Sequence, residues 1–490
     1  MNVWWLVLLA VTVVLVSILV FRLHAFLTLL MAGLLVAALT GGEALRGFAD
    51  RQVETGKLSP AAAEALVRAP AASRLASEFG DTAGKIGILI ALASIIGGCL
   101  MESRGATTIV DAMLRATGER RAPEGLAASS FLLGIPVFFD TVFYLMVPLA
   151  RSLRRRVGRN YVLYLMAILA GGSIAHSLVP PTPGPLQVAE IIGVEIGTML
   201  VAGLAIGGCT SVLSLGAARL LNRWVDVPLR ESEFGDVGDE GDVGDEGGVG
   251  DQGDAAGRAA PAAGRPPLLL ALLPIVVPVG LISAASILDS LIDAGVIGEA
   301  TVPGWLFSLG DKNIALGIGC GFAFTLFRYC PAPKRATLVT RSLASAGNII
   351  LITAAGGAFG AMLRQAGIAE AVSSLTRDVP GLLLLPVAFL VTAAIRTLQG
   401  SATVAMITAA GVLQGFVEAL PFHPVYLAMA IGAGSKPVSW MTDSAFWVIT
   451  KMSGMTESEG LKVISPMSTA MGCSALAVTM AFAALFPFRP

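Results

Sequence analysis

The stretch AHSLVPPTPGPL, Ala175 to Leu186, carries four prolines in six residues and follows directly on an apolar run long enough to span a bilayer. A helix cannot continue through it. Each proline removes a backbone donor and crowds the preceding turn, at about 3 kcal/mol in a helix interior. Lipid supplies no water for the freed carbonyls, so broken backbone at membrane depth is tolerated only where protein or a polar cavity surrounds it. The segment therefore predicts an interrupted transmembrane helix at a binding site.

Composition agrees with a membrane setting. Of the 490 residues 55% are hydrophobic and 14% charged, and mean hydropathy is +0.78, far from the quarter-charged average of soluble domains. Apolar windows of about 17–25 residues recur through both halves, which predicts an all-α polytopic membrane protein; an outer-membrane barrel would alternate apolar and polar residues over about ten positions. A net charge of -1 favours neither nucleic acid nor an anionic surface as partner. Cys99, Cys209, Cys320, Cys330 and Cys473 stand singly without CxxC spacing and read as small packing residues. The amino-terminal run NVWWLVLLAVTVVLVSILVF has no basic region before it and leads into Arg22 and His24, not a small-residue cleavage site, so it reads as a first transmembrane helix.

Two spans, near 3–21 and 25–40, precede a polar stretch from Gly41 to Lys85 that is expected outside the bilayer, and a span near 86–103 follows it. The block near 125–150 is interrupted by GIPVFFDT, with Pro136 and Asp140 at its middle, and reads as a re-entrant hairpin. A broken helix occupies the region near 161–195, and a further span runs from about 196 to 221. Residues 226–267, with the near-repeat GDVGDEGDVGDEGGVGDQGD, are acidic, glycine-rich and poor in large apolar groups, which predicts a disordered linker. A calcium loop is the alternative there, but the spacing lacks the terminal Glu and the flanking helices of an EF-hand.

Past the linker the pattern returns. An offset of 262 pairs Gly98 with Gly360, Gly105 with Gly367, Thr141 with Thr403, Tyr164 with Tyr426, Gly172 with Gly434 and Ser173 with Ser435, with no gap between first and last. Two transmembrane repeats follow, 1–225 and 268–490, the second with a re-entrant hairpin near 380–415 and a broken helix near 424–452. The loop Arg151–Asn160 holds five arginines and is expected to be cytoplasmic. Its counterpart LQGFVEALPF has Glu418 and no Lys or Arg, so the repeats read as inverted, with Lys334, Arg335 and Arg341 weighing against that orientation.

The offset also gives the proline cluster a partner: Pro181 pairs with Asp443 and Thr182 with Ser444, and FFDT, Phe138 to Thr141, pairs with GSAT, Gly400 to Thr403. Four polar breaks in two related pairs can meet near the midplane. Half-helix amino termini at such breaks aim N–H groups and the positive dipole end at an anion, while Ser and Thr hydroxyls suit a polyhydroxylated body. Asp140, His176, Lys436 and Asp443 are the ionisable groups in the breaks, and intramembrane charge is costly and commonly functional. Each has a plainer alternative. Asp140 and Asp443 can cap half helices, His176 can be a neutral packing residue or a proton carrier, and Lys436 can pair with an acid or present positive charge to an anionic substrate.

At these residues the chain resembles the gluconate permease family of bacterial symporters, within the ion-transporter superfamily. The blocks are GIPVFFDTVFYLMVPL, HSLVPPTPGPL, QGSATVAMITAAG and IGAGSKPVSWMTDSAFW, and the likeness covers most of 86–485. It implies proton-coupled uptake of gluconate or a related sugar acid or hydroxycarboxylate across the bacterial cytoplasmic membrane. It also implies an elevator-type mechanism and a homodimer. By the resemblance His176, Pro180, Pro181, Thr182 and Gly184 fall on the first unwound segment, Gln399, Ser401 and Thr403 on the second hairpin, and Asp443 and Ser444 on the second unwound segment. With Phe139, Asp140, Thr141, Ser435 and Lys436 these form the expected substrate site, and Asp140, His176 and Asp443 are the candidates for proton coupling. The chain departs from the family pattern where Glu is frequent at Asp140, His at Thr182 and apolar residues near Lys436.

Other classes fit less well. An intramembrane enzyme using His176 would lack both HExxH and GxSxG motifs, and neither a metal nor a cofactor is expected. A passive anion channel would need a continuous polar lining, whereas the polar groups are confined to a few breaks. If 226–267 is only a linker, excising Asp236–Gly257 will leave membrane insertion and uptake unchanged, as measured by expression level and uptake in cells; loss of either would give the segment a role of its own.

Overall fold

The computed structural model of the chain describes residues 3–21, 23–54, 56, 58–230, 264–293, 297–298, 303–367, 381–440 and 443–488. The acidic run lies outside them except at its ends. The first half comprises α1 (Val3–Leu19), α2 (Ala25–Leu39), α3 (Gly42–Glu54), α4 (Pro60–Arg68), α5 (Ala71–Glu102) and α6 (Gly105–Thr117). It continues with α7 (Ala122–Leu133), α8 (Phe139–Val157), α9 (Tyr161–Ile168), α10 (Ile174–Leu178), α11 (Pro183–Ile192) and α12 (Ile196–Trp224). The second half comprises α13 (Leu268–Asp293), α14 (Gly304–Gly310), α15 (Lys312–Thr325), α16 (Ala332–Gln365) and α17 (Leu384–Gln399), then α18 (Ala402–Leu413), α19 (Val425–Gly434), α20 (Ser444–Ser453) and α21 (Glu457–Leu485).

Among the described residues there is no strand, and six helices are long and apolar enough to cross a membrane, or up to seven if the pair α2–α3, bent by 99°, counts as one span. Large apolar side chains stand exposed on the outer helices, among them Ile88, Val212, Leu213, Leu269 and Leu390. In water such a surface would drive association; facing lipid it is the expected exterior.

Helix boundaries keep step with the 262-residue offset. Moved by 262, α5 covers 333–364 against 332–365 for α16, α8 begins at 401 against 402 for α18, α11 covers 445–454 against 444–453 for α20, and α12 covers 458–486 against 457–485 for α21. The halves interlock: α5 packs along α16, α2 of the first half lies on α16, α15 of the second lies on α5, and α12 packs on α21.

At the centre are α9 and α19, apolar on every side and buried along their whole length, as a helix hydrophobic all round must be. They carry the breaks, and their burial keeps interrupted backbone out of lipid. After α9 the sequence LAGGS, Leu169 to Ser173, winds as a π-helix before α10. The distortion brings it against α7, where Gly172 N–H donates to Ser130 Oγ at 3.1 Å and a Cβ on Gly171 would overlap Ala127 O and Ser130 Oγ. Gly203 of α12 likewise faces the Leu178 carbonyl at the end of α10, with no space for a side chain.

One boundary differs from the sequence reading. The helix expected from residue 86 starts at Ala71, so part of the polar stretch belongs to it. Arg74 is buried there because its guanidinium donates to Gln365 Oε1 at 2.7 Å and to Ala37 O at 2.8 Å, which satisfies a charge that hydropathy alone places in water.

Substituting alanine at Gly171 or Gly203 forces backbone apart, at about 1–3 kcal/mol or more for an overpacked core, and will lower the thermal midpoint of the purified protein. Gly208, farther along α12 and with no atom within 4 Å of where a Cβ would stand, provides the control, and Gly208→Ala will leave the midpoint unchanged or raise it.

Candidate functional site

Each of the four breaks has a local cause. Between α7 and α8 the sequence GIPVF, 134–138, places a proline where the helix would continue, and α8 restarts at Phe139 with Asp140 in its first turn. Between α10 and α11 the residues Val179–Thr182 separate two helices, and Pro183 opens the second at a position where the missing N–H costs nothing. Gly400, at φ 83°, ends α17 in the left-handed region and Ser401 caps α18 by accepting Val404 N–H at 3.3 Å. The last break, 435–443, ends on Asp443, which caps α20 by accepting Ala445 N–H at 3.0 Å.

Three of these breaks meet at a cavity of about 260 Å³. The amino termini of α8, α18 and α20 reach its wall through Phe138–Asp140, Ser401–Thr403 and Asp443. Leu169, Ser173 and His176 approach from the π-helix and α10, and Ser435, Lys436 and Ser439 from the last break. Ile464, Ser468 and Met471 of α21 close it. The volume lies below the ~300–1,000 Å³ of pockets for drug-sized ligands, so the cavity has room only for a small molecule.

The central polar feature is Arg396, in the last turn of α17 and 4% exposed. Its Nη2 donates to Asp443 Oδ2, its Nη1 to Gly400 O, and its Nε to Ser435 O at 3.1 Å. One guanidinium thus ties the Gly400 break to both ends of the 435–443 break. Ser439 Oγ also donates to Asp443 Oδ2, so the carboxylate is fully engaged. The rest of the segment is held by α21: Ser439 N–H donates to Ser468 Oγ at 3.0 Å and Val438 N–H to Thr469 Oγ1 at 3.2 Å. These bonds fix Val438 at φ 54°, a left-handed conformation that costs a β-branched residue about 1–3 kcal/mol.

Lys436 is 6% exposed, and its ammonium donates to Ser173 O at 2.8 Å and Ser173 Oγ at 2.9 Å, joining the two halves across the cavity. Asp140 makes no hydrogen bond or ion pair to another described residue. The Nδ1 atom of His176 is buried and without a hydrogen-bond partner among the described residues, and its ring stands edge-on to Phe138 at 6.0 Å. Among the described residues no three His, Cys, Asp or Glu side chains gather as a metal site.

Of the residues singled out from the sequence, Phe139, Asp140, His176, Ser401, Thr403, Ser435, Lys436 and Asp443 line the one cavity. Thr141 lies outside its lining. Pro181 and Thr182 instead border small voids against Leu89, Ile90, Ala93 and Leu200, with Thr182 Oγ1 donating to Val179 O at 2.6 Å. Gly184 is a packing position, where a Cβ would collide with Met406 of α18. Gln399 ends α17 and Ser444 opens α20; their side chains lie outside those described. Arg396, Ser173, Ser439 and Ser468 are additions that sequence reading missed. An arginine inside the apolar run LLPVAFLVTAAIRTLQG was the available signal for the first of them.

Because Arg396 and Asp443 are buried together, removing one leaves an uncompensated charge, at about 3–5 kcal/mol. Asp443→Asn and Arg396→Met will each lower the thermal midpoint, and the double substitution will lower it by less than the sum of the two; additive losses would show the pair to be uncoupled.

Comparison with known proteins agrees with this architecture. The model of the GntP family permease matches residues 63–485. A gluconate permease of Pseudomonas aeruginosa is 30% identical, covering 80% of this chain and 83% of its own. The inner membrane permease YgbN of Escherichia coli is 28% identical, covering 82% and 86%, and the D-serine transporter DsdX of E. coli O6:H1 is 26% identical over 96% of each chain. The solved structure of the antimetabolite efflux pump MtrF of Neisseria gonorrhoeae superposes with a TM-score of 0.56 at 14% identity, covering 84% of each chain, a likeness of fold alone. The relatives are permeases and transporters, not enzymes, and this chain belongs to the GntP permease family.

Proposed function

We propose that the chain is a secondary active transporter of the bacterial inner membrane that imports gluconate or a related sugar acid or hydroxycarboxylate together with a proton. The observation that carries this reading is the charge inventory of the cavity. Arg396 and Lys436 supply two positive charges, and Asp140 and Asp443 two negative ones, so the site is balanced before a substrate arrives. A carboxylate entering alone would leave one unbalanced negative charge in a buried site, which is costly. A proton that enters with it restores the balance.

Asp140 is the place for that proton. It sits in the first turn of α8, whose amino terminus carries no side-chain cap, and an ionised Asp140 would repel a carboxylate bound in the same cavity. Protonation removes the repulsion and gives an O–H donor to the substrate. His176, with its unpartnered Nδ1 on the same wall, is the second candidate carrier. The carboxylate is then held by N–H groups and hydroxyls at Ser401 and Thr403, with the neighbouring serines receiving substrate hydroxyls. Gluconate and D-serine, the substrates named for two relatives, both present a carboxylate beside a polar substituent, the part this arrangement would read.

The transport cycle in this reading moves the hairpin-bearing helices as an elevator against a scaffold, within two inverted repeats, 1–225 and 268–490, and a homodimer. The in-step helix boundaries and the arginine-rich loop Arg151–Asn160 support the repeats and their inversion. Lys436 favours a second reading, exchange of carboxylates without a proton, in which Asp140 stays protonated throughout the cycle and the fixed positive charge balances the anion.

Purified protein in liposomes will accumulate gluconate, or another acid of a panel with glycerate, hydroxybutyrate and citrate, when an inward proton gradient is imposed. Asp140→Asn will lose gradient-driven accumulation while retaining counterflow. Accumulation that survives both Asp140→Asn and His176→Ala would remove the proton assignment, and counterflow without accumulation in the unaltered protein would favour the exchanger.

A further inference from the structure

Lys436 breaks the symmetry of the repeats. Its partner at the 262-residue offset is Ile174, and that of Arg396 is Gly134, so both cavity cations come from the second half. Each is aimed at a corresponding oxygen: Arg396 Nε donates to Ser435 O at 3.1 Å, and Lys436 Nζ donates at 2.8 Å to the carbonyl of Ser173, the offset partner of Ser435. The two differ in their counter-charges. Arg396 is paired with Asp443, whereas among the described residues Lys436 forms no ion pair and its ammonium is held by the two oxygens of Ser173.

A backbone carbonyl and a hydroxyl at a helix irregularity, both within 3 Å of one buried ammonium, form the oxygen surroundings that unwound transporter helices give to a coupling cation. Ser173 closes a π-helical segment, where the carbonyl ladder departs from the regular α pattern. Lys436 reaches it from the opposite half and is itself buried. We propose that Lys436 is a tethered cation. Its ammonium occupies a monovalent-cation site on the Ser173 oxygens, so the positive charge beside the substrate carboxylate is never released and no alkali ion is a co-substrate. This rests on the carboxylate-transporter reading for the identity of the anion, but the cation site itself can be measured without any substrate.

The test compares the full-length protein with Lys436→Ala and Lys436→Gln in choline, sodium, potassium and methylammonium chloride, by thermal midpoint and by gluconate binding. The unaltered protein will behave alike in all four salts. Lys436→Ala will bind gluconate about tenfold or more weakly in choline, the scale of one lost charge-assisted hydrogen bond. Methylammonium or an alkali ion will raise its midpoint and recover part of the binding. Lys436→Gln keeps amide donors for Ser173 and fills the site, so it will bind weakly without rescue by any cation. A sodium or potassium requirement in the unaltered protein would overturn the proposal, as would a Lys436→Ala variant whose midpoint ignores every cation. If Lys436→Ala does not fold in any salt, Lys436→Gln decides: weakened binding supports the tethered cation and unchanged binding overturns it. Should the unaltered protein bind none of the acids tested, the substrate reading fails while the midpoint response of Lys436→Ala still decides the cation site.

Discussion

The constraint on which the structure depends is that backbone opened inside a membrane must find partners within the protein, and Arg396 is where two of the breaks meet that demand together. Its guanidinium satisfies the carbonyls of Gly400 and Ser435 and pairs with Asp443. A planar fork with several fixed donors can serve three acceptors at once, which a lysine at the same place could not. The cost of burying the charge is offset by Asp443, and Asp443 in turn is positioned as the cap of α20. Ion pair, helix end and unwound segment are one assembly, so the geometry of the cavity wall follows from it.

That assembly is shielded from lipid by the helices around it. The central helices α9 and α19 are enclosed by α7, α12, α17 and α21, and glycines at the contacts let backbones approach more closely than any side chain would permit. Gly171 against Ala127 and Gly203 against Leu178 belong to the first half; Gly432 against Ser177, and Gly434 against Phe389, repeat the device in the second. Small residues at helix contacts are the usual means of tight packing where burial from water provides no drive. Here they also deliver the broken ends to one place.

Much of this was legible in the sequence, for a physical reason. Prolines, glycines and isolated charges within apolar runs are costly in a bilayer, so each marks a place where local propensity and the membrane disagree. GIPVFFDT, HSLVPPTPGP, QGSAT and GSKPVSWMTDS are such places, and all four are breaks. What the pattern does not encode is direction. Pro181 and Thr182 read as cavity wall, yet the first unwound segment is confined to Val179–Thr182 because Pro183 restarts the helix at once. Its equivalent lies between Gly434 and Ser444, and Ser435, Lys436, Ser439 and Asp443 of it line the cavity. Arg396 escaped notice because it lies one turn before its break, within regular helix, where attention to interruptions does not fall. Arg74 shows the same limit: hydropathy assigned it to water, and the approach of Gln365 from the other half, with the Ala37 carbonyl, explains its burial.

The two halves share a plan but not a chemistry, and the difference lies in what each break contributes. The first supplies Asp140, the Nδ1 atom of His176, which has no hydrogen-bond partner among the described residues, and an oxygen pair on Ser173. The second supplies both cations and the carboxylate that neutralises one of them. Equal halves would present the same groups on both sides of the cavity, and these do not. Three of the four breaks face one cavity; the departures from the 262-residue pattern, Lys436 opposite Ile174 and Arg396 opposite Gly134, put both of its lining cations on the second half.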